Sequence, residues 1–239
     1  MSVEFTNPAG AQYIDFGSAI SGVIGLTAKS VAFWVKPDDF GAAYEMLIIS
    51  DGTGTDTDEL FDIVTQITTG KVGLVAHFST TNGVWITTSA TLTAGAWNHV
   101  VVTYDGTSTA NNPVIYINGA SVAVTRSTAP VGTYRTGTAA NLYIGTPSAG
   151  AALDGKITDA RIYNAVLTSS QASGLYAGGV FTPNFDTNLV FHAPLSSATT
   201  LSGASFDGFT LTSSQKFYDR IACVQGTPSG SPLGSTTNS

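Results

Sequence analysis

The chain of 239 residues carries 9 Lys and Arg against 16 Asp and Glu, for a net charge of −7. Only 10% of its residues are charged and 43% are hydrophobic, against roughly 25% charged in an average soluble domain. A sizeable core is available, but there is no Lys/Arg cluster for nucleic acid and no Ala/Glu/Lys/Leu excess for a coiled coil or helical bundle.

Short β-type segments follow one another with turns between them. Val31 to Val35 is apolar throughout and ends at Pro37-Asp38-Asp39. Met46 to Ile49 follows, then a turn at Asp51-Gly52. Phe61 to Ile67 alternates in polarity, and Gly70-Lys71 turns into Val72 to Phe78. Asn82-Gly83 predicts a tight hairpin into Val84-Trp85-Ile86-Thr87. Trp97 to Tyr104 is a strand closed by Asp105-Gly106. Val114 to Ile117 runs through Asn118-Gly119, a second tight hairpin, into Ser121 to Thr125. Leu142 to Ile144 and Gly155 to Tyr163 complete the block. A strand about every ten residues, without alternating helices, predicts an antiparallel sandwich or barrel. The one helix expected is Thr168 to Tyr176, with Thr168 or Ser169 as N-cap and Gly178 as stop.

Past Gly178-Gly179 the composition changes. Asn188 to Leu195 reads as a strand and Phe217 to Val224 as a further one. Residues 226–239 are rich in Gly, Ser, Pro and Thr, a tail that stays flexible or orders on a partner. The division expected is a sandwich over 1–180, an extension over 181–225 that packs on the sandwich or a partner, and the tail.

Cys223 is the single cysteine, so no disulfide framework is expected. Met1 to Pro8 has neither the basic nor the apolar region of a signal peptide. No apolar run reaches the ~18 residues of a bilayer span. The hydroxyl-rich, weakly charged composition nonetheless has an extracellular character. A virion surface protein, made in a cytoplasm and released by lysis, reconciles the two.

Five segments in order carry a resemblance. They are Phe33-Trp34-Val35-Lys36-Pro37, Trp97 through Gly106, Ile115-Tyr116-Ile117-Asn118-Gly119, Leu142-Tyr143-Ile144-Gly145, and Leu153 through Asn164. Together they resemble the laminin-G-like, pentraxin-like branch of the concanavalin A-like lectins and glucanases, over residues 3 to 178. Leu167 to Tyr176 is similar to that family's short closing helix. The resemblance implies an all-β jelly-roll sandwich of two curved antiparallel sheets. The strand at Asn188 to Leu195 looks like the one that usually opens such domains, here moved behind the domain or beginning a truncated second repeat. About 50 remaining residues are too few to bury a core of their own.

Glycosidase chemistry needs two positioned carboxylates. Glu4, Glu45 and Glu59 are the only glutamates and none stands in the closely spaced strand pattern of the related glucanases. Glu59 and Asp62 would point to opposite strand faces. No Gly-x-Ser-x-Gly elbow is present, and His77, His99 and His192 lack metal-ligand spacing. The chain is therefore expected not to be an enzyme.

Asp51, Asp56, Asp58 and Glu59, with Gly52 and Gly54 between them, offer oxygen ligands of the kind Ca²⁺ takes, although the segment also reads as a solvated hairpin loop. The resembled family often binds calcium at the sandwich rim. A second candidate set is Asp15 with Asp154 or Asp159, if the first and last strands adjoin. Candidate ligand-stacking residues are Trp85, Tyr134 and Tyr44, near turns or loops. Trp34 and Trp97 are expected in the core and His99 as a hydrogen-bonded structural residue.

Three functions follow. The first is a virion structural protein, a capsid-decoration, fibre or tail component that self-associates or attaches to other virion proteins. The second is a carbohydrate-binding adhesin module for cell-surface or environmental glycans. The third, an enzyme, lacks any constellation of residues.

Overall fold

The computed structural model describes residues 2–5, 12–16, 23, 25–40, 45–51, 60–66, 68–136, 141–146, 153–178 and 187–195. Tyr44, Asp56, Asp58 and Glu59 lie outside the described residues, as do Cys223, the strand expected at 217–224 and the tail.

The strands are β1 (Val3–Phe5), β2 (Gln12–Asp15), β3 (Ala28–Pro37), β4 (Glu45–Asp51), β5 (Phe61–Thr65), β6 (Val72–Ala76) and β7 (Gly83–Thr87). Then come β8 (Asn98–Asp105), β9 (Val114–Ile117), β10 (Ala120–Val122), β11 (Val124–Thr128), β12 (Asn141–Thr146) and β13 (Gly155–Tyr163). Helix α1 (Ser169–Ala177) and β14 (Leu189–Ala193) follow. Sheet I runs β1-β13-β3-β8-β9-β10, with β14 also on β13; sheet II runs β11-β7-β6-β5-β4-β12-β2. All pairings are antiparallel, the jelly-roll sandwich expected.

Strand alternation sends one set of side chains from each sheet into the shared core. Val31, Phe33, Val35, Val100, Val102, Ile157 and Ile162 enter from sheet I, and Phe61, Ile63, Leu74, Trp85, Leu142 and Ile144 from sheet II. β5 departs from the alternating exposure its sequence predicts, because all five of its residues are buried. The outward Asp62 is paired with His77 at 2.9 Å, and both are buried.

A second, smaller core lies outside sheet I. Ala32, Val101, Tyr116 and Tyr163 pack there with Leu167, Ala172, Leu175 and Leu189. The helix that covers them begins in a capping box: Thr168 Oγ1 accepts from the Gln171 N–H and Gln171 Oε1 accepts from the Thr168 N–H. Ser30 holds the approach to the helix by donating to the Ala165 carbonyl and accepting from the Leu167 N–H.

β14 joins this sandwich. β1 pairs with β13 over Gly155–Ile157, and β14 pairs with it over Ala160–Tyr163. β3 takes the other edge of β13, so β1 and β14 share one edge end to end.

The two Asn-Gly steps behave differently. Asn118 and Gly119 have φ of 51° and 80°, as a tight turn between β9 and β10 requires. Asn82-Gly83 makes no such turn, since β6 and β7 are joined by the longer loop 77–82. Asn82 instead closes that loop with its side chain, accepting from the Phe78 N–H at 3.1 Å. Gly83 is required by packing: a Cβ there would collide with the Trp85 ring.

Candidate functional site

The polar clusters inside the fold are closed. Because Asn82 Oδ1 accepts from the Phe78 N–H, its Nδ2 faces His77 Nδ1 as a donor, 3.1 Å away. His77 Nδ1 is therefore an acceptor, and Nε2 carries the proton donated to Asp62. Both ring nitrogens are engaged in structure, which leaves neither for general-base work.

Asp159 is similarly enclosed. It stands on a β-bulge with φ of 53°. Arg161 donates to both of its oxygens at 3.0 and 2.9 Å, and His192 Nε2 lies 2.7 Å from Oδ1. Burial favours the neutral form of Arg161, but the adjoining Asp159 charge and hydrogen bonds prevail and raise its pKa. This corrects the expectation of Asp159 as a calcium ligand, because cationic and N–H donors already fill its carboxylate. The first and last domain strands do adjoin, but they are β1 and β13. Asp15 lies on β2 in the other sheet, and no metal-holding group joins it to Asp154 or Asp159 among the described residues.

The register brings Asp15 and Asp51 to either side of β12. Asp15 pairs opposite Tyr143 and Asp51 opposite Asn141. Asn141 Nδ2 donates to both Asp15 oxygens at 3.2 Å. Among the described residues no group of three or more His, Cys, Asp or Glu side chains could hold a metal ion.

The expected aromatic roles are exchanged. Trp85 has 0% exposure; it packs on Tyr104 and donates from Nε1 to Asn112 Oδ1 at 2.8 Å. Tyr134, also buried, donates to the Leu60 carbonyl at 2.9 Å and meets Phe78 edge-on. A stacking platform needs an open ring face, and neither residue offers one. Trp97, placed in the core by sequence, is 40% exposed, as is Tyr176 at the end of α1.

Of these two exposed rings, Tyr176 lies where α1 covers the outer face of sheet I. Trp34 on β3 is half-buried, opposite His99 on β8. Their rings lie 5.0 Å apart, and Tyr176 closes over both at 5.7 and 6.1 Å. Trp97 lies two residues before His99 in sequence, just ahead of the β8 ladder. His99 is held by stacking, and its Nδ1 has no hydrogen-bond partner; neither has Trp34 Nε1. Burial, then the Arg161 charge, lowers the His99 pKa to about 4 and keeps the ring neutral. The result is a neutral cluster of three adjoining rings, of which Tyr176 is the exposed one. The Gly95 turn just ahead of Trp97, with φ of 71°, is the sequence signal that this residue precedes the ladder rather than lying within it.

The outer face of sheet II carries a different set. Tyr13 meets Tyr143 edge-on at 5.3 Å beside Asp15 and Asn141, and Asn141 also donates to the Tyr143 hydroxyl. Tyr143 is buried and Tyr13 half-buried.

A family model described as the concanavalin A-like lectin/glucanases superfamily, Laminin_G_3, matches residues 8–173. No curated protein matches the sequence. Among solved structures, a candidate carbohydrate-binding protein from Bacteroides ovatus superposes with a TM-score of 0.59 at 15% identity, over 84% of this chain and 53% of its own. The chain thus spans about half the length of that protein. The CBM40 of Ruminococcus gnavus IT-sialidase bound to α2,3-sialyllactose gives a TM-score of 0.56 at 16% identity, over 72% of this chain and 95% of its own. A heptameric pentraxin from Limulus polyphemus gives 0.50 at 16% identity, over 72% and 78%. At these identities the likeness shows the fold alone.

Proposed function

The chain belongs to the Laminin_G_3 family of the concanavalin A-like lectin/glucanases superfamily, and on that premise we propose that it is a non-catalytic carbohydrate-binding module. The supporting observation is the contrast between closed polar clusters and exposed aromatic side chains, which the proposal joins into one sugar-binding surface. His77, Asp62, Asp159 and His192 are engaged with their neighbours, while Trp97 and Tyr176 present ring surface to solvent. The apolar C–H face of a sugar ring packs on such a surface, and hydroxyls at its rim bond to water or to nearby polar groups. The carbohydrate-binding solved neighbours agree with this reading.

The test is a glycan-array screen of the full chain, followed by calorimetric titration of the best neutral ligand. Trp97→Ala and Tyr176→Ala should each weaken binding about tenfold or more, and Tyr13→Ala should leave it unchanged. Loss of binding only in Tyr13→Ala would move the site to sheet II.

Calcium is proposed for the rim where Asp15 and Asp51 flank β12 and the chain enters the acidic segment 52–59. Titrating calcium into chelator-treated protein should raise Tm if the site exists, and an unchanged Tm would remove it. Display on a phage-like particle is proposed as the setting, from composition and the Gly/Ser/Pro/Thr-rich tail. Deleting 226–239 should then abolish assembly and spare glycan binding.

A further inference from the structure

Where the chain passes from β10 to β11, the two sheets share an open edge. Trp85 points into the core, and Arg126 pairs opposite it on β11. Opposed residues share a face, so Arg126 turns inward at the mouth of the sandwich. A groove of about 500 Å³ opens there, lined by Arg126, Asn112, Ser121 and the apolar Val114, Val122 and Val124. That size is in the range of small-ligand sites, roughly 300–1,000 Å³.

The lining offers donors. Arg126 is exposed and makes one long contact, 3.5 Å from Nη1 to the Thr109 carbonyl. No carboxylate pairs with it among the described residues. Asn112 has its Oδ1 occupied by Trp85 Nε1, which turns its amide N–H donors outward. Ser121 adds an exposed hydroxyl. Behind them the Tyr104 hydroxyl is buried and unpartnered. A charged fork and neutral donors around an apolar wall complement an anion with a C–H face. Strand addition fits less well, because β11 is bulged after Arg126 and an inward charge protects an edge from pairing.

We propose that this groove binds the carboxylate of an acidic sugar residue, Arg126 gripping its two oxygens while Asn112 and Ser121 bond the ring hydroxyls and the valines pack its C–H face. This deepens, and rests on, the carbohydrate-binding reading, at a place separate from the proposed aromatic surface. Guanidinium matches carboxylate in a two-pronged geometry that an ammonium cannot reproduce.

The test titrates sodium glucuronate, glucose and sodium sulfate into ¹⁵N-labelled full-length protein and follows the Arg126 Nε–H and Asn112 side-chain signals. Glucuronate should shift both and glucose neither. Arg126→Gln should weaken glucuronate binding about tenfold or more, and Arg126→Lys should restore only part of it. Unmoved groove signals, or Arg126→Gln binding glucuronate like wild type, would overturn the proposal. Equal shifts with sulfate would also overturn it, leaving an anion site without sugar recognition. Neutral glycans binding at the proposed aromatic surface while glucuronate leaves the groove unmoved would sink this inference alone. No sugar binding anywhere would sink the carbohydrate reading with it.

Discussion

Lys29 Nζ donates to the Tyr134 hydroxyl at 2.6 Å inside the sandwich, with its nitrogen 4.5 and 4.8 Å from the centres of the Phe61 and Tyr134 rings. Burial lowers its pKa from 10.5 to about 7. Between those values the folded amine is largely neutral while the unfolded chain holds the proton, so stability rises with pH across that window. The slope approaches ~1.4 kcal/mol per pH unit. The penalty is fully present below pH 7 and is relieved as pH rises toward 10.5. Urea unfolding from pH 7 to 10 should show this rise. Lys29→Met should flatten it and raise stability at pH 7, since Tyr134 keeps its bond to the Leu60 carbonyl. A variant that keeps the slope would assign it to another group.

His99 acts in the same direction at lower pH. Its folded pKa of about 4 lies below the ordinary 6.5, so stability falls as pH drops from 6.5 toward 4. His99→Phe, which keeps a ring between Trp34 and Tyr176, should reduce this acid sensitivity in the same unfolding series. An unaltered profile would contradict the assignment.

The Asp159–Arg161–His192 cluster predicts a large and asymmetric cost. Asp159→Ala leaves a buried guanidinium without its carboxylate, and such losses run to about 3–5 kcal/mol. Equilibrium denaturation measures it. A change below about 1 kcal/mol would mean that water reaches Arg161 and replaces the pair.

Truncation tests whether β14 is part of the domain. The family match ends at residue 173, yet β14 covers the β13 edge and buries Leu189, Ala193 and Leu195. Each fully buried leucine contributes ~1.5–3 kcal/mol, so a chain ending at residue 186 should lose several kcal/mol and expose an edge prone to association. A truncated protein with wild-type Tm that remains monomeric would make β14 an accessory.

Most strands along the chain and the helix were legible because turns, apolar runs and an N-cap at Thr168 or Ser169 are local signals. The exchange of Trp85 and Trp97 was not. Val84-Trp85-Ile86 has no polarity contrast to say which face is inward, and the direction is set by pairing with β6 and β11. Trp97 adjoins an apolar strand in sequence but precedes its ladder. Thermal unfolding should separate them: Trp85→Ala costs about 3–5 kcal/mol, whereas Trp97→Ala costs under ~1 kcal/mol. The polar clusters were also hidden, because Lys29 and Tyr134 stand 105 positions apart and Asp159 and His192 33 apart. Asn82-Gly83 shows the converse limit, a turn signal outweighed by a side-chain-closed loop and the packing of Trp85.

The most direct test of the carbohydrate-binding account is calorimetric titration of an array-selected neutral glycan into wild-type protein and Trp97→Ala, with the recovered ligand checked for cleavage. The account predicts saturable binding, at least about tenfold weaker in the variant, and intact glycan after prolonged incubation. Equal binding by both proteins would remove the proposed aromatic surface as the site, and hydrolysed glycan would contradict the non-catalytic reading.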